Sequence, residues 1–223
     1  MPGRRQRAAR AAPREESARD AILAAARAEF AAKGLAGARV DRIAERAGAN
    51  KQLVYYYFGN KEKLYQAALE AMYAEIRSRE QDLHLGDLTP DRAMEKLIAF
   101  SFDHLESHPD FIKLLNDENS HGALHVQRSP VVAQQNSPLI ALIRQTLQRG
   151  ETAGLFRPGI DPLWLYVSIA GMAYFYFSNR STLSAIFARD LSRKQAVASY
   201  RNHVVAFAMA AIGLHPAPVQ PNG

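Results

Sequence analysis

The sequence predicts an all-α protein, in which a small three-helix head carrying a helix-turn-helix is joined to a larger helical body. Three observations predict it. Between Val40 and Leu64 apolar residues recur at helical spacing, and Gly48 and Gly59 punctuate them. Farther on, stretches rich in alanine and leucine keep the same period, and strand-like alternation is hard to find. The charge is also unevenly divided. Residues 1–65 hold fourteen Lys/Arg against seven Asp/Glu, and the remainder holds fourteen against fifteen. The positive excess therefore sits wholly on the head, as it does in a module that meets nucleic acid.

Residues 1–15 contain Arg4, Arg5, Arg7, Arg10 and Arg14 with little to bury, so a disordered basic arm is expected there. Such an arm can follow phosphates or enter a minor groove. The first helix is expected from Ser17 to Lys33, with Ala18, Ile22, Ala25, Ala26 and Phe30 inward and Gly34 ending it. Val40, Ile43, Ala44 and Ala47 give the next helix one buried face, which Gly48 terminates. Asn50 can cap the short helix KQLVYYYF, and Asn60 can cap the helix after it. Tyr55, beside Val54 and three residues from Phe58, is expected in the core, with Tyr56 and Tyr57 on the more exposed sides.

Helix, glycine turn, polar helix is the layout of a helix-turn-helix, whose second helix enters the major groove of DNA. Lys51 and Gln52 stand at the exposed start of that helix. Lysine reads guanine edges and glutamine reads adenine edges.

The run IAERAG followed by YYYFGNKEKL, with AILAAARAEFAAKGLAGARV upstream, resembles the signature of the TetR family of one-component bacterial regulators. The match covers the first third of the chain in register. Asn50 stands where that family usually has Ser or Thr, an equivalent cap. The resemblance implies that Tyr56, Tyr57 and Lys61 hold the DNA backbone, and Arg42 is placed with them. It also implies that the last two long helices form a four-helix bundle with a second subunit, and that a small-molecule effector binds between the middle helices. The expected protein is a homodimeric, cytoplasmic repressor released from a double-stranded operator by its effector. Residues 16–76 would form the DNA-binding domain, including the start of a connecting helix. Residues 77–214 would bind effector and dimerise, and 215–223 would be a disordered tail.

In the body, one long helix is expected over residues 60–82, and Thr89 and Pro90 open the next, Asp91 to Ser107. A break at His108-Pro109 precedes a helix from Asp110. Residues 126–137 read as an irregular loop and Pro138 as the opening of another helix. Leu163 to Asn179 is the most apolar helix, and the last runs from Ser192 to Leu214. Phe111, Leu114 and Leu115 mark an inward face that continues into Glu118 and Asn119. Trp164, Ser168, Met172, Phe175 and Asn179 offer a second wall of mixed character. An apolar hollow with few polar groups suits a small molecule, and the aromatic residues favour an apolar or aromatic one. The plain alternative for Glu118 is a hydrogen bond to another helix end.

No nucleophile elbow, phosphate-binding loop, dinucleotide fingerprint or HExxH motif occurs, so no catalytic residues and no cofactor are expected. The pairs His104/His108 and His121/His125 have helical metal spacing, but Pro109 ends one helix and Gly122 loosens the other, so no metal is expected. Cysteine is absent and no long uncharged apolar run suits a membrane span. The rival readings are a metal-dependent or enzymatic helical protein with an incidental basic head, and a DNA binder without an effector.

Overall fold

In a computed structural model the described residues run from 3 to 214, and the expected tail, 215–223, lies outside them. Among the described residues ten α-helices follow one another: α1 Gly3–Gly37, α2 Val40–Arg46, α3 Lys51–Phe58, α4 Lys61–Gln81, α5 Pro90–Ser107, α6 Pro109–Ser120, α7 Leu124–Gln127, α8 Pro130–Thr152, α9 Pro162–Ile186 and α10 Lys194–Ile212. A single 3-10 turn, Leu85–Asp87, precedes α5. The backbone of the arginine arm forms the first part of α1, while its side chains lie outside the described residues.

The helices form two compact units. One contains Met1–Glu75 and Asp110–Ala133, the other Ile76–Pro109 and Gln134–Gly223. α6 and α7 thus return to the unit that carries the head.

In the head unit Ile22, Ala26, Phe30, Ile43, Val54, Leu64 and Tyr65 are almost wholly buried. Each large apolar side chain so removed from water contributes about 1.5–3 kcal/mol. The rings of Phe30 and Tyr65 meet edge to face at 5.1 Å. α1 breaks at Gly34, whose φ of 65° and ψ of 175° lie in a region essentially restricted to glycine. α6 is tied to this break. Asp117 accepts hydrogen bonds from the Leu35 amide and the Tyr65 hydroxyl, both at 3.0 Å. Arg27 on α1 donates to Glu75 at 2.8 Å and to Asp110 at 3.1 Å.

The second unit packs α5 against α9 and α10. Met94, Ile98 and Phe102 of α5 are buried, as are Ile143 of α8, Ile169 and Ala173 of α9, and Val204 and Ile212 of α10. Tyr176 and Tyr200 stack at 4.4 Å beside Phe102. Arg201 grips Asp103 through two parallel bonds of 2.5 and 2.7 Å, joining α10 to α5.

Three body expectations are corrected. Residues 126–137 are not a loop: α7 ends at Gln127 and α8 begins at Pro130. Pro130 takes the first-turn position, where no amide partner is needed, and the Ser129 hydroxyl accepts from the Val132 amide at 3.3 Å. Pro138 therefore lies inside α8 instead of opening it. α9 runs on past Asn179 to Ile186, since no glycine or proline interrupts it there.

Candidate nucleic-acid interface

α2 buries Val40, Ile43 and Ala44 and turns its charged residues outward. Gly48, at φ 62°, reverses the chain, and the Ala49 amide returns to the Ala44 carbonyl at 2.9 Å. Asn50 then caps α3, its side-chain oxygen accepting from the Leu53 amide at 2.8 Å. Asn60 does the same for Lys63 at the start of α4, also at 2.8 Å. Short-range chemistry thus fixes α3 at both ends.

Val54 and Phe58 are the residues α3 buries. They lie four apart and define its inner stripe. Tyr55 lies to one side of that stripe and is exposed, which corrects its expected place in the core. Lys51 and Gln52 are exposed at the first turn, and Tyr56 is 78% exposed. Tyr57 is half-buried, its ring 5.3 Å from that of Tyr56.

The charged groups around this helix are engaged with one another. Lys51 Nζ lies 2.9 Å from Asp41 Oδ1 across the turn. Their hydrogen bond and mutual attraction raise the lysine above its ordinary pKa and lower the aspartate. Arg42 pairs with Glu45 on the exposed face of α2 at 3.0 Å. Lys61 is half-buried and donates to the carbonyls of Ala36 and Ala38 at 3.1 and 2.9 Å, so it holds the α1–α2 connection closed. Arg19 lies over the Phe58 ring at 5.3 Å.

A concave surface beside α2 is lined by Glu29, Lys33, Gly37, Arg39, Arg42, Glu45 and Arg46. Its four cations outnumber its two acids. Lys33, Arg39 and Arg46 were not singled out from the sequence. The charge count of the head was the only signal pointing to them.

The residues expected to line an effector site fall in different places. Glu118 is 1% exposed, and its carboxylate is taken up by α7. It accepts from the amides of His125 and Val126 at 2.6 and 3.0 Å and lies 2.9 Å from His125 Nδ1. This is the helix-end alternative. Asn119 is exposed. Trp164, Ser168 and Met172 come together with Phe207, Ala208 and Ala211 around a hollow of about 340 Å³ between α9 and α10. Phe175 and Asn179 lie farther along α9 and are not part of its wall.

The histidine pairs diverge. His125 is buried against Glu118 and the Tyr65 ring, whereas His121 is exposed beside the Asp117 carbonyl. His104 is buried and stacks on His108 at 4.2 Å. Among the described residues no three His, Asp or Glu side chains gather to hold a metal ion. No helix among them is long and apolar enough to cross a membrane.

The family profile described as bacterial regulatory proteins, tetR family, matches residues 22–68, the segment that contains this interface. A second, described as tetracyclin repressor-like, C-terminal domain, matches residues 90–207. The chain belongs to the TetR family. The HTH-type transcriptional repressor NicS of Pseudomonas putida is 38% identical over 189 residues, covering 85% of this chain and 89% of that protein. The HTH-type transcriptional repressor SCO4008 of Streptomyces coelicolor is 34% identical, covering 71% and 79%. The crystal structure of SCO4942 from Streptomyces coelicolor superposes with a TM-score of 0.64 at 29% identity, covering 87% of this chain and 97% of that one. This TetR-family chain is a DNA-binding transcriptional repressor with a ligand-binding C-terminal domain.

Proposed function

We propose that the protein is a cytoplasmic homodimeric repressor that leaves its operator when a small molecule binds the body, and that it is not an enzyme. The observation that carries the DNA half of this reading is the capped, outward-facing start of α3, with Lys51, Gln52 and Tyr56 exposed beside a basic concavity. Lys51 and Gln52 read base edges. Arg42, Tyr56, Tyr57 and Lys61 hold phosphates, with Lys33, Arg39 and Arg46 extending the track. Lys61 has two of its three N–H donors on carbonyls, so it contacts a phosphate while bracing the α1–α2 connection.

The dimer is supported by the outer faces of α9 and α10. Leu163, Trp164, Val167, Phe175 and Phe207 are each about half or more exposed, between 47% and 66%. Gly171, Ala206 and Ala210 lie exposed among them and let a second helix pair approach closely. An apolar face of this kind on a water-soluble chain marks an interface. Two heads then read two half-sites roughly 34–36 Å apart. An effector that binds better to a body conformation with the heads mis-spaced shifts the population away from the DNA-bound form. Of the residues first expected to line the effector site, Trp164, Ser168, Met172 and Phe175 belong in this reading to the dimer face or its hollow, with Asn179 beside it. Glu118 and Asn119 belong to the α6–α7 segment.

The test is retention of the duplex upstream of the protein's own gene. Wild type should select it over random duplex, and a Lys51→Ala/Tyr56→Ala double variant should not. Equal retention by both proteins would sink the reading.

A further inference from the structure

The lysine at the start of the reading helix already has an anionic partner. Lys51 Nζ and Asp41 Oδ1 are 2.9 Å apart, with their side chains 51% and 56% exposed. Asp41 stands in the first turn of α2 and Lys51 opens α3, so the pair bridges the two helices of the motif. Arg39 adds its own attraction to the aspartate.

A carboxylate here is out of keeping with its surroundings. Lys33, Arg39, Arg42 and Arg46 make the neighbouring concavity cationic, and binding to the DNA backbone gains from each cation. The two acids of that concavity have partners within the head. Glu29 accepts from the Arg39 amide at 3.3 Å, and Glu45 pairs with Arg42. Asp41 instead holds the side chain placed to read a base. For phosphate binding alone it is a loss, because its charge repels the backbone.

The base edges offer what a phosphate does not. In the major groove guanine presents two acceptors, N7 and O6, and its partner cytosine presents the N4 amino donor beside them. An ammonium next to a carboxylate complements that edge, a donor for guanine and an acceptor for cytosine. An A·T pair sets its amino donor between two acceptors and adds the thymine methyl. A phosphate offers acceptors only.

We infer that Asp41 is a specificity-determining residue, and that Asp41 and Lys51 together read one G·C base pair, the ammonium taking guanine and the carboxylate taking the cytosine amino group. The inference rests on the proposed reading of bases by Lys51. An exposed ion pair is weak and opens readily. At a G·C pair in the right register both of its members find new partners. On random duplex the ammonium finds acceptors, while the carboxylate faces only negative charge. Asp41 therefore lowers affinity for all DNA, and lowers it least at the operator.

The test uses the full chain in two measurements. In the first, wild type and the Asp41→Ala and Lys51→Ala variants each select from a randomised duplex pool. Wild type should return a G·C pair at one position of each half-site, and both variants should relax that same position. In the second, anisotropy at fixed salt compares the wild-type selected duplex with random duplex. Asp41→Ala should bind random duplex about ten-fold more tightly, as removal of one negative charge from a phosphate-facing surface implies, and the selected duplex only a few-fold more tightly. An affinity ratio that does not fall, or a position relaxed by Lys51→Ala that Asp41→Ala leaves intact, overturns the inference and leaves base reading by Lys51 standing. If Lys51→Ala relaxes no position, base reading by Lys51 fails and the inference fails with it. Should Asp41→Ala not fold, Asp41→Asn decides, since it removes the charge and keeps an acceptor. Its affinity ratio should also fall, and an unchanged ratio overturns the inference.

Discussion

Asp117 occupies the space that a side chain on Gly34 would need: its Oδ1 lies 2.5 Å from where a Cβ at Gly34 would stand. The carboxylate is held there by the Leu35 amide and the Tyr65 hydroxyl, so it cannot simply swing aside. The end of the first helix, the base of the reading head and α6 therefore share one joint.

Gly34→Ala should consequently do more harm than an ordinary loop substitution. It introduces a residue at φ 65°, ψ 175° and displaces Asp117. The expected loss is about 1–3 kcal/mol of stability. Denaturant unfolding of wild type and variant measures it. A neutral substitution would mean that Asp117 is not confined.

Asp41 holds the ammonium of Lys51 at 2.9 Å, and both side chains are exposed. The ammonium must leave that carboxylate to read a base. Asp41→Asn should tighten operator binding a few-fold, and Lys51→Ala should weaken it by roughly ten- to hundred-fold, the range of one base contact. Fluorescence anisotropy at fixed salt reads both. Weaker binding by Asp41→Asn would show instead that Asp41 positions the lysine.

Glu80 makes a pH prediction. Its carboxyl titrates at about 7 in the folded chain against an ordinary value of 4.5, so the folded state holds the proton more tightly than the unfolded state. Stability should therefore fall as pH rises from about 4.5 to about 7 and level off above that, with a span on the order of 2–3 kcal/mol. Glu80→Gln imitates the protonated acid and should remove that slope. Melting curves of the two proteins across this range, compared by difference, check it. Parallel curves would mean that Glu80 is charged throughout.

The apolar face of α9 and α10 should be covered in solution. Replacing Trp164 and Phe207 together by glutamate should yield a folded monomer with much weaker operator binding, since one head makes half the contacts. Sedimentation velocity decides this, and an unchanged dimer would place the interface elsewhere.

The head was legible in the sequence because its determinants are local. Gly34, Gly48, Asn50 and Asn60 act within a few residues of themselves, and the structure uses each at its expected turn or cap. Tyr55 was misplaced because nearness in sequence to Val54 and Phe58 is not nearness on a helix. The buried stripe of α3 passes through residues four apart and leaves Tyr55 outside it. Pro138 was read by a local rule, yet α8 begins at Pro130 with Ser129 bonded at its start. The return of α6 to the head rests on Arg27–Asp110 and Leu35–Asp117, pairs more than eighty residues apart that no periodicity could announce.

The central claim is that the start of α3 reads duplex DNA. Its most direct measurement is a titration of labelled duplex from upstream of the protein's own gene, at low salt with excess random competitor, using wild type and the Lys51→Ala/Tyr56→Ala variant. Saturable, competitor-resistant binding that the variant loses is the predicted result. Binding that random duplex abolishes, or that the variant retains in full, would contradict the claim.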